Sequence, residues 1–264
     1  MIGLDDYRDR YDVVMFERDD RGVLVARLHT DGGPLLWGHT GGAHEQLAEA
    51  FGYVARDIEN RVVIITGTGD WFCGPRASAA TFPESTVKEW ETIQTHAFHL
   101  AWNLISIDGP VISCVNGPAW RHAEIPLLAD VVLASDTASF QDSAHFTNDT
   151  VPGDGLQIIM PWLLGFNRGR YYLYTGQEID AQEALRLGLV AELMPAERLL
   201  ERAHELATEF LQHDELVLRY TRRAIMQPLK EALLSAVPFG SALEGLSAVH
   251  ESVVRSERRR TSTS

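Results

Sequence analysis

Residues 62–69 read VVIITGTG, and this stretch decides the class of fold. Its first four side chains are all apolar, with no polar residue between them, which predicts a strand covered on both faces. The glycines and threonine that follow end the strand in a loop. A strand covered on both faces is typical of a parallel sheet between layers of helices, so the stretch favours an α/β domain.

The same pattern recurs on both sides of this strand. Apolar, β-branched runs predict further strands over residues 23–28, 110–115, 131–134 and 138–140. Apolar residues at helical spacing predict helices between them, over residues 44–57 and 87–107. Strand–helix–strand alternation favours parallel pairing with right-handed crossovers.

Beyond residue 155 the pattern changes to successive helices, predicted over residues 181–187, 196–212 and 229–253. We therefore divide the chain into an α/β core, 1–193, and a helical C-terminal region, 194–264. Such a region has little core of its own, so we expect it to pack on a neighbouring subunit.

Composition limits the classes of function. Of 264 residues, 45% are hydrophobic and 23% charged, as in soluble globular proteins. The formal net charge of -14 argues against nucleic-acid binding, because phosphate backbones attract basic surfaces. Two cysteines are too few for a disulfide framework. No apolar run approaches the length of a membrane span, and the acidic start lacks signal-peptide character, so we expect a cytoplasmic protein without membrane contact.

Four stretches in one order carry a family resemblance: residues 62–69 with 72–73, 110–118, 151–155, and 175–181 with 188–190. Together they resemble the crotonase (enoyl-CoA hydratase/isomerase) superfamily, over most of residues 13–193. The resemblance implies a ββα spiral core with a helical C-terminal trimerisation region. It also implies a homotrimer or a dimer of trimers.

The sequence departs from this family where coenzyme A thioesters are normally held. Residues 118–124, PAWRHAE, lack the usual glycine-rich turn whose N–H group helps to form an oxyanion hole. In the other oxyanion-hole segment, Pro75 has no N–H to donate. These departures argue against thioester chemistry with the usual oxyanion hole.

A histidine and an aspartate stand at two expected active-site positions where the hydratases carry other residues. His145 and Glu124 lie where the hydratases carry their two catalytic glutamates, and Asp154 replaces a small residue in the Pro-Gly-x-Gly turn. This combination, with His122, is similar to the β-diketone hydrolase subgroup that includes 6-oxocamphor hydrolase. The resemblance implies retro-Claisen hydrolysis of a small-molecule 1,3-diketone, with no cofactor and no metal.

Three residues are the predicted centre of this chemistry. A histidine with a pKa near neutrality is a suitable general base when a carboxylate fixes its tautomer, so we expect His145 to deprotonate water and Asp154 to orient it. His122 is the expected donor to the oxyanion and enolate. Asp154 could instead cap the helix that begins near residue 155.

Five further residues are carried over with open alternatives. Glu244 matches an acidic residue near the subgroup's pocket and is a further candidate catalytic residue, although the sequence around it is that of an ordinary helix. Trp37 and Phe82 are candidate apolar walls for the substrate, or ordinary core residues. His44 matches an active-site histidine, or is a helix cap or surface residue. Glu124 is a second acid, or holds a helix start.

Two other functions stay open. One is a coenzyme A thioester hydratase, isomerase or hydrolase of the same superfamily. The other is a non-catalytic crotonase-fold binding protein. The sequence contains no phosphate loop, dinucleotide fingerprint or zinc-site spacing.

Overall fold

The computed structural model describes residues 2–37, 42–74 and 86–262, with side chains up to residue 254. A six-stranded sheet in the order β1-β2-β3-β4-β5-β8 forms its centre. β1 is antiparallel to β2, and the other neighbours are parallel. These strands are Val14–Arg18, Val23–Leu28, Val62–Thr66, Val111–Val115, Val131–Ser135 and, for β8, Glu192–Met194. β6 (Ser139–Phe140) and β7 (Ile179–Asp180) form a separate antiparallel pair.

Eight α-helices are described in this part of the chain, and most follow a strand. They are α1 (Ala43–Arg56), α2 (Val87–Ile105), α3 (Glu124–Leu127), α4 (Leu156–Leu164), α5 (Phe166–Thr175), α6 (Ala181–Leu187), α7 (Leu199–Phe210) and α8 (Glu215–Ser262). Short 3-10 segments cover Leu4–Asp6, Phe146–Asn148 and Ala196–Arg198.

The all-apolar strand β3 is buried on both faces, as its sequence predicts. Val63 and Ile65 face the main core, whereas Val62 and Ile64 face a second cluster formed with α7. The predicted parallel pairing on both sides of β3 is also confirmed. The division into 1–193 and 194–264 stays a prediction.

The predicted C-terminal helix boundaries were wrong in one respect. Residues 229–253 are part of one long helix that begins at Glu215 and contains Pro228 and Pro238. Proline removes an intrahelical hydrogen bond, so a sequence pattern favours a break there. The helix continues because buried residues such as Leu233 and Val237 anchor it to the core.

Helix α8 has large apolar side chains that the described part of this chain leaves exposed. By length and composition alone it is the one helix, among the described residues, that could cross a membrane. Its inner face packs on the core, whereas Phe239 and Leu246 are 69% and 70% exposed. Large exposed apolar patches mark sites of association.

Arg222 fastens α8 to the α/β core. Its side chain is 3% exposed, and Nε donates to Asp130 Oδ2 at 2.6 Å. Nη1 donates to the carbonyl oxygens of Ile105, the last residue of α2, and of Ile107 in the segment that follows. The same Asp130 oxygen accepts the N–H of Val111, so one ion pair joins α8 to the start of β4.

We predict that Arg222→Met lowers the free energy of unfolding by about 3 kcal/mol. The reason is that methionine leaves the partly buried Asp130 carboxylate without its charged partner. The matched control is Arg223→Met, whose pair with Asp108 is largely exposed and should contribute less than about 1 kcal/mol. Urea unfolding followed by circular dichroism measures both. Equal losses in the two variants would contradict this role for Arg222.

Candidate active site

His145 is held by an aspartate that precedes it by three residues. After β6 the chain turns through residues 141–145 into the 3-10 segment Phe146–Asn148. Asp142 Oδ1 lies 2.7 Å from His145 Nδ1 and also accepts the backbone N–H groups of Ala144 and His145 at 3.2 Å. These three bonds fix both the carboxylate and the imidazole ring, with Nε2 directed away from Asp142.

The charges around His145 favour its protonated form. Burial lowers its pKa, but Asp142, Asp154 and Glu244 oppose burial and bring the pKa well above its ordinary value. Burial likewise opposes ionisation of Asp142, yet His145 and the backbone donors hold its pKa below the ordinary value. His145 therefore becomes a free base only as the pH rises through its raised pKa.

Asp154 lies between two histidines. Its Oδ2 is 3.5 Å from His145 Nε2 and 3.4 Å from His122 Nδ1. The side chain is 4% exposed, and neither oxygen has a hydrogen-bond partner among the described residues. Burial raises the pKa of Asp154, followed in size by repulsion from Glu124. Asp154 is thus poised to accept a proton from a neighbouring group.

The position of Asp154 depends on close backbone packing against α8. Gly153 packs on Gly240, and a Cβ atom at Gly153 would lie 2.3 Å from the Gly240 carbonyl oxygen. Ser241 Oγ donates to the Gly153 carbonyl at 3.2 Å. The contact leaves room only for glycine, which explains why the turn before α4 has this residue.

Glu244 reaches the site from α8, one turn beyond Ser241. Its Oε1 is 3.5 Å from His145 Nε2, so two carboxyl groups face the same ring nitrogen. Burial raises the pKa of Glu244, although His145 opposes this shift. Helix α8 therefore contributes directly to the site.

His122 forms a short contact with Glu124. Nδ1 lies 2.5 Å from Glu124 Oε1, and both side chains are buried. Burial lowers the pKa of His122 to about 4 and raises that of Glu124 to about 8. His122 also has a φ of 55°, a left-handed conformation that costs most non-glycine residues free energy and is common at functional sites.

Two aromatic rings cover His122. Its ring centroid lies 3.9 Å from that of Trp37 and 4.4 Å from that of His44. His44 is partly buried on the first turn of α1, and burial holds its pKa well below the ordinary value. A neutral, largely apolar wall thus flanks the imidazole. Phe82, the other predicted wall, lies outside the described residues.

Arg121 adds a buried cation beside the carboxyl groups. Burial lowers its pKa, whereas Asp142, Asp154, Glu124 and Glu244 oppose that shift. The site therefore contains four carboxyl groups, two histidines that face them and this guanidinium.

The structure brings together every predicted site residue in the described part of the chain: His145, Asp154, His122, Glu244, Trp37, His44 and Glu124. The direct hydrogen bond to His145 nevertheless comes from Asp142, whereas the sequence analysis gave that orienting role to Asp154. Asp142 was missed because one aspartate in the polar run QDS (residues 141–143) has no distinguishing motif. Its spacing of three residues before His145 was the available signal.

One group of described side chains lies close enough to hold a metal ion: His122, Glu124 and Asp154, with ligand atoms within 4.8 Å of one another. Tetrahedral sites with bonds of about 2.1 Å place ligand atoms about 3.4 Å apart. The 2.5 Å between His122 Nδ1 and Glu124 Oε1 is instead a hydrogen-bond separation. The arrangement is a proton-sharing pair, and Glu124 would have to turn away to ligate an ion.

Comparison with known proteins places this site in a family. The family described as "Enoyl-CoA hydratase/isomerase" matches residues 41–258. A probable enoyl-CoA hydratase of Mycobacterium tuberculosis is 30% identical over 197 residues, which cover 72% of this chain and 69% of the relative. The chain belongs to the enoyl-CoA hydratase/isomerase family. Its crotonase fold, expected from the sequence, is thereby confirmed.

One solved structure has a higher sequence identity to this chain than the hydratase relative, and its protein is named for a different activity. A β-diketone hydrolase from the cyanobacterium Anabaena sp. PCC 7120, bound to (S)-3-oxocyclohexyl acetic acid, is 39% identical with a TM-score of 0.88. The match covers 93% of this chain and 97% of that one. An enoyl-CoA hydratase/isomerase from Mycobacterium paratuberculosis has a TM-score of 0.83 at 21% identity, over 92% and 96% of the two chains, and shows the fold alone.

We predict that Asp142→Asn lowers the pKa of His145, because the asparagine oxygen can still accept from Nδ1 but carries no charge. NMR titration of the histidine ring signals in this crotonase-family protein measures the shift. Asp149→Asn is the matched control, since Asp149 is exposed in the same loop and asparagine tolerates its φ of 58°. An unchanged His145 pKa in the Asp142 variant would remove the basis for this pairing.

Proposed function

We propose that this crotonase-family protein is a β-diketone hydrolase that cleaves a carbon–carbon bond of a cyclic or bicyclic 1,3-diketone. The observation that carries the proposal is the position of the Asp154 carboxyl group between His145 Nε2 and His122 Nδ1. One histidine is supported by Asp142 and the other by Glu124. A hydrolytic cleavage of this type needs a base for water and a donor for the carbonyl oxygens, and the two histidines supply them.

The base side of the site activates water. Once His145 has lost its Nε2 proton, Nδ1–H donates to Asp142 and the lone pair of Nε2 faces Asp154 and Glu244. Water attacks one carbonyl carbon as its proton passes to this nitrogen, and Asp142 stabilises the resulting imidazolium. General-base assistance of this kind typically accelerates a reaction roughly a hundred- to ten-thousand-fold.

The donor side stabilises the leaving enolate. When the tetrahedral intermediate collapses, the carbon–carbon bond breaks and its electron pair enters the second carbonyl system. His122, neutral and covered by Trp37 and His44, donates a hydrogen bond to that oxygen. The products are a carboxyl group and a ketone in one molecule, a keto acid.

The Anabaena hydrolase supports this substrate class. Its bound ligand, 3-oxocyclohexyl acetic acid, is itself a keto acid. Two ring carbons flank its ketone. Joining the carboxyl carbon to the one that is not adjacent to the substituted ring carbon, with loss of water, gives a bicyclic 1,3-diketone. That diketone is our proposed test substrate.

A thioester hydratase is the second candidate, because curated relatives such as the Mycobacterium tuberculosis protein are named for that activity. Against it, the turn of residues 118–124 contains no glycine, and Pro75 offers no N–H. We therefore propose no coenzyme A requirement for catalysis.

We predict that the wild-type protein hydrolyses the bicyclic diketone to the keto acid without coenzyme A and with EDTA present. His145→Gln and Asp154→Asn should lower kcat about a hundred- to ten-thousand-fold, because each removes a proton acceptor. Mass detection of the keto acid measures turnover. His213→Gln, at an exposed histidine, is the control and should retain full activity.

Two other outcomes have definite meanings. Absence of turnover on a panel of diketones, with hydration of an enoyl-CoA instead, would establish the thioester function. Turnover that EDTA abolishes and Zn²⁺ restores would assign a metal to His122, Glu124 and Asp154 in place of the proton-sharing pair.

We also propose that three copies assemble through the exposed apolar face of α8, as homotrimer or dimer of trimers. Phe239 and Leu246 would be buried in that contact. Light scattering should give at least three times the 29.4 kDa chain mass for the wild type. The double variant Phe239→Lys/Leu246→Lys should be smaller, whereas the control Ile58→Lys, at an exposed site outside α8, should not change. A monomeric wild type would contradict the proposal.

A further inference from the structure

The contact between His122 and Glu124 joins a buried imidazole to a buried carboxyl group. Glu124 opens α3, whose other residues, Ile125, Pro126 and Leu127, are all buried and apolar. Its side chain is 2% exposed, and Oε2 has no hydrogen-bond partner among the described residues. Oε1 lies 2.5 Å from His122 Nδ1. Burial disfavours an ionised carboxylate here and outweighs the favourable charges of His145 and Arg121.

The proton shared between Glu124 and His122 is held by Glu124. Burial raises the pKa of Glu124 to about 8, and burial lowers the pKa of His122 to about 4. At neutral pH the glutamic acid O–H therefore donates to Nδ1 of a neutral imidazole. Because a neutral imidazole carries one hydrogen, Nε2 then holds it.

Retro-Claisen cleavage requires a proton donor for the enolate carbon after the carbon–carbon bond has broken. Water supplies hydroxide to the acyl carbon, and its proton goes to His145. The breaking carbon–carbon bond leaves its electron pair on the second fragment as an enolate, whose carbon must then accept a proton. His122 has too low a pKa to act as an imidazolium donor, so a neutral ring can deliver its Nε2 hydrogen only if Nδ1 is protonated from elsewhere.

We infer that Glu124 is the residue that holds the enolate's proton, passing it to His122 Nδ1 as the Nε2 hydrogen of the same ring moves to the enolate carbon. This inference rests on the proposed diketone hydrolysis. The carbon gains one hydrogen, the imidazole stays neutral and Glu124 becomes a carboxylate. Glu124 does not touch the substrate in this step, because its proton goes to His122.

Asp154 lies between the histidine that gains a proton and the pair that gives one up. Asp154 Oδ2 lies 3.5 Å from His145 Nε2, where the proton of water arrives, and 3.4 Å from His122 Nδ1. The resting state returns when the Nδ1 hydrogen passes back to Glu124 and Nε2 takes a proton from water as the keto acid leaves, while His145 releases to water the proton that it accepted. Among the described residues, the ionisable groups that interact with Glu124 or with its histidine are His44, Cys73, Arg121, Asp142, His145, Asp154, Tyr172 and Glu244.

The decisive variant is Glu124→Gln in the full-length protein, assayed on the bicyclic diketone over a range of pH. The amide can still donate to His122 Nδ1 but cannot transfer a proton. We expect kcat to fall about a hundredfold with KM little changed. Wild-type activity should rise with pH as His145 loses its proton, and should decline as the pH rises through about 8, where Glu124 ionises. Only the alkaline limb should be absent in the variant.

Glu124→Asp tests whether the acid itself matters, since it keeps a carboxyl group at the cost of one methylene. It should retain an alkaline limb and exceed the glutamine variant in kcat. Glu197→Gln, at an exposed glutamate, is the control and should match the wild type. A glutamine variant with wild-type kcat and an unchanged alkaline limb would overturn the inference.

A second measurement needs no turnover. The infrared spectrum of the wild type at neutral pH should contain a protonated-carboxyl stretch from Glu124, and the spectrum of Glu124→Gln should lack that component. Nitrogen NMR shifts should show His122 protonated on Nε2. An ionised Glu124 would overturn the inference even in an active hydrolase, whereas a protonated Glu124 in a protein that cleaves no diketone would instead reject the proposed function.

Discussion

Asp154 places a carboxyl group within 3.5 Å of two buried histidines, and the rest of the site is arranged around that group. A carboxylate in such surroundings is costly unless it is compensated, and neither Asp154 oxygen has a hydrogen bond among the described residues. Its neighbours limit the cost in opposite ways. His145 gains charge through Asp142, whereas His122 stays neutral beside Glu124. The two imidazoles therefore differ in protonation although they face the same carboxyl group.

This difference depends on elements far apart in sequence. The turn at Gly153 holds Asp154 against α8, and the same helix carries Glu244 to His145. Arg222 in turn fastens α8 to the start of β4. Stability and chemistry are thus coupled: a shift of α8 would move Asp154 and Glu244 together, and would change the pKa of His145 without touching its direct partner Asp142.

The sequence predicted much of the fold, because strands such as β3 and helices such as α2 have clear apolar patterns. It also predicted His145, Asp154 and His122 through family positions. It missed the continuity of α8 because Pro228 indicates a break, and only packing of Leu233 and Val237 overrides that local preference. It missed Asp142 because orientation of a histidine depends on loop geometry that residue types do not encode.

The proposed diketone hydrolysis needs two different proton transfers, and the two histidines of this site differ in protonation. Water must lose a proton while carbon gains one, so a single group with one pKa serves one of these steps poorly. Burial separates the pKa values of Glu124 and His122 from their ordinary ranges in opposite directions, which places an acid beside a weak base. Carboxylates raise the pKa of His145 and make it a stronger base. Asp154 faces both the ring that would gain a proton and the ring that would pass one on, so one carboxyl group influences both steps of the proposed reaction.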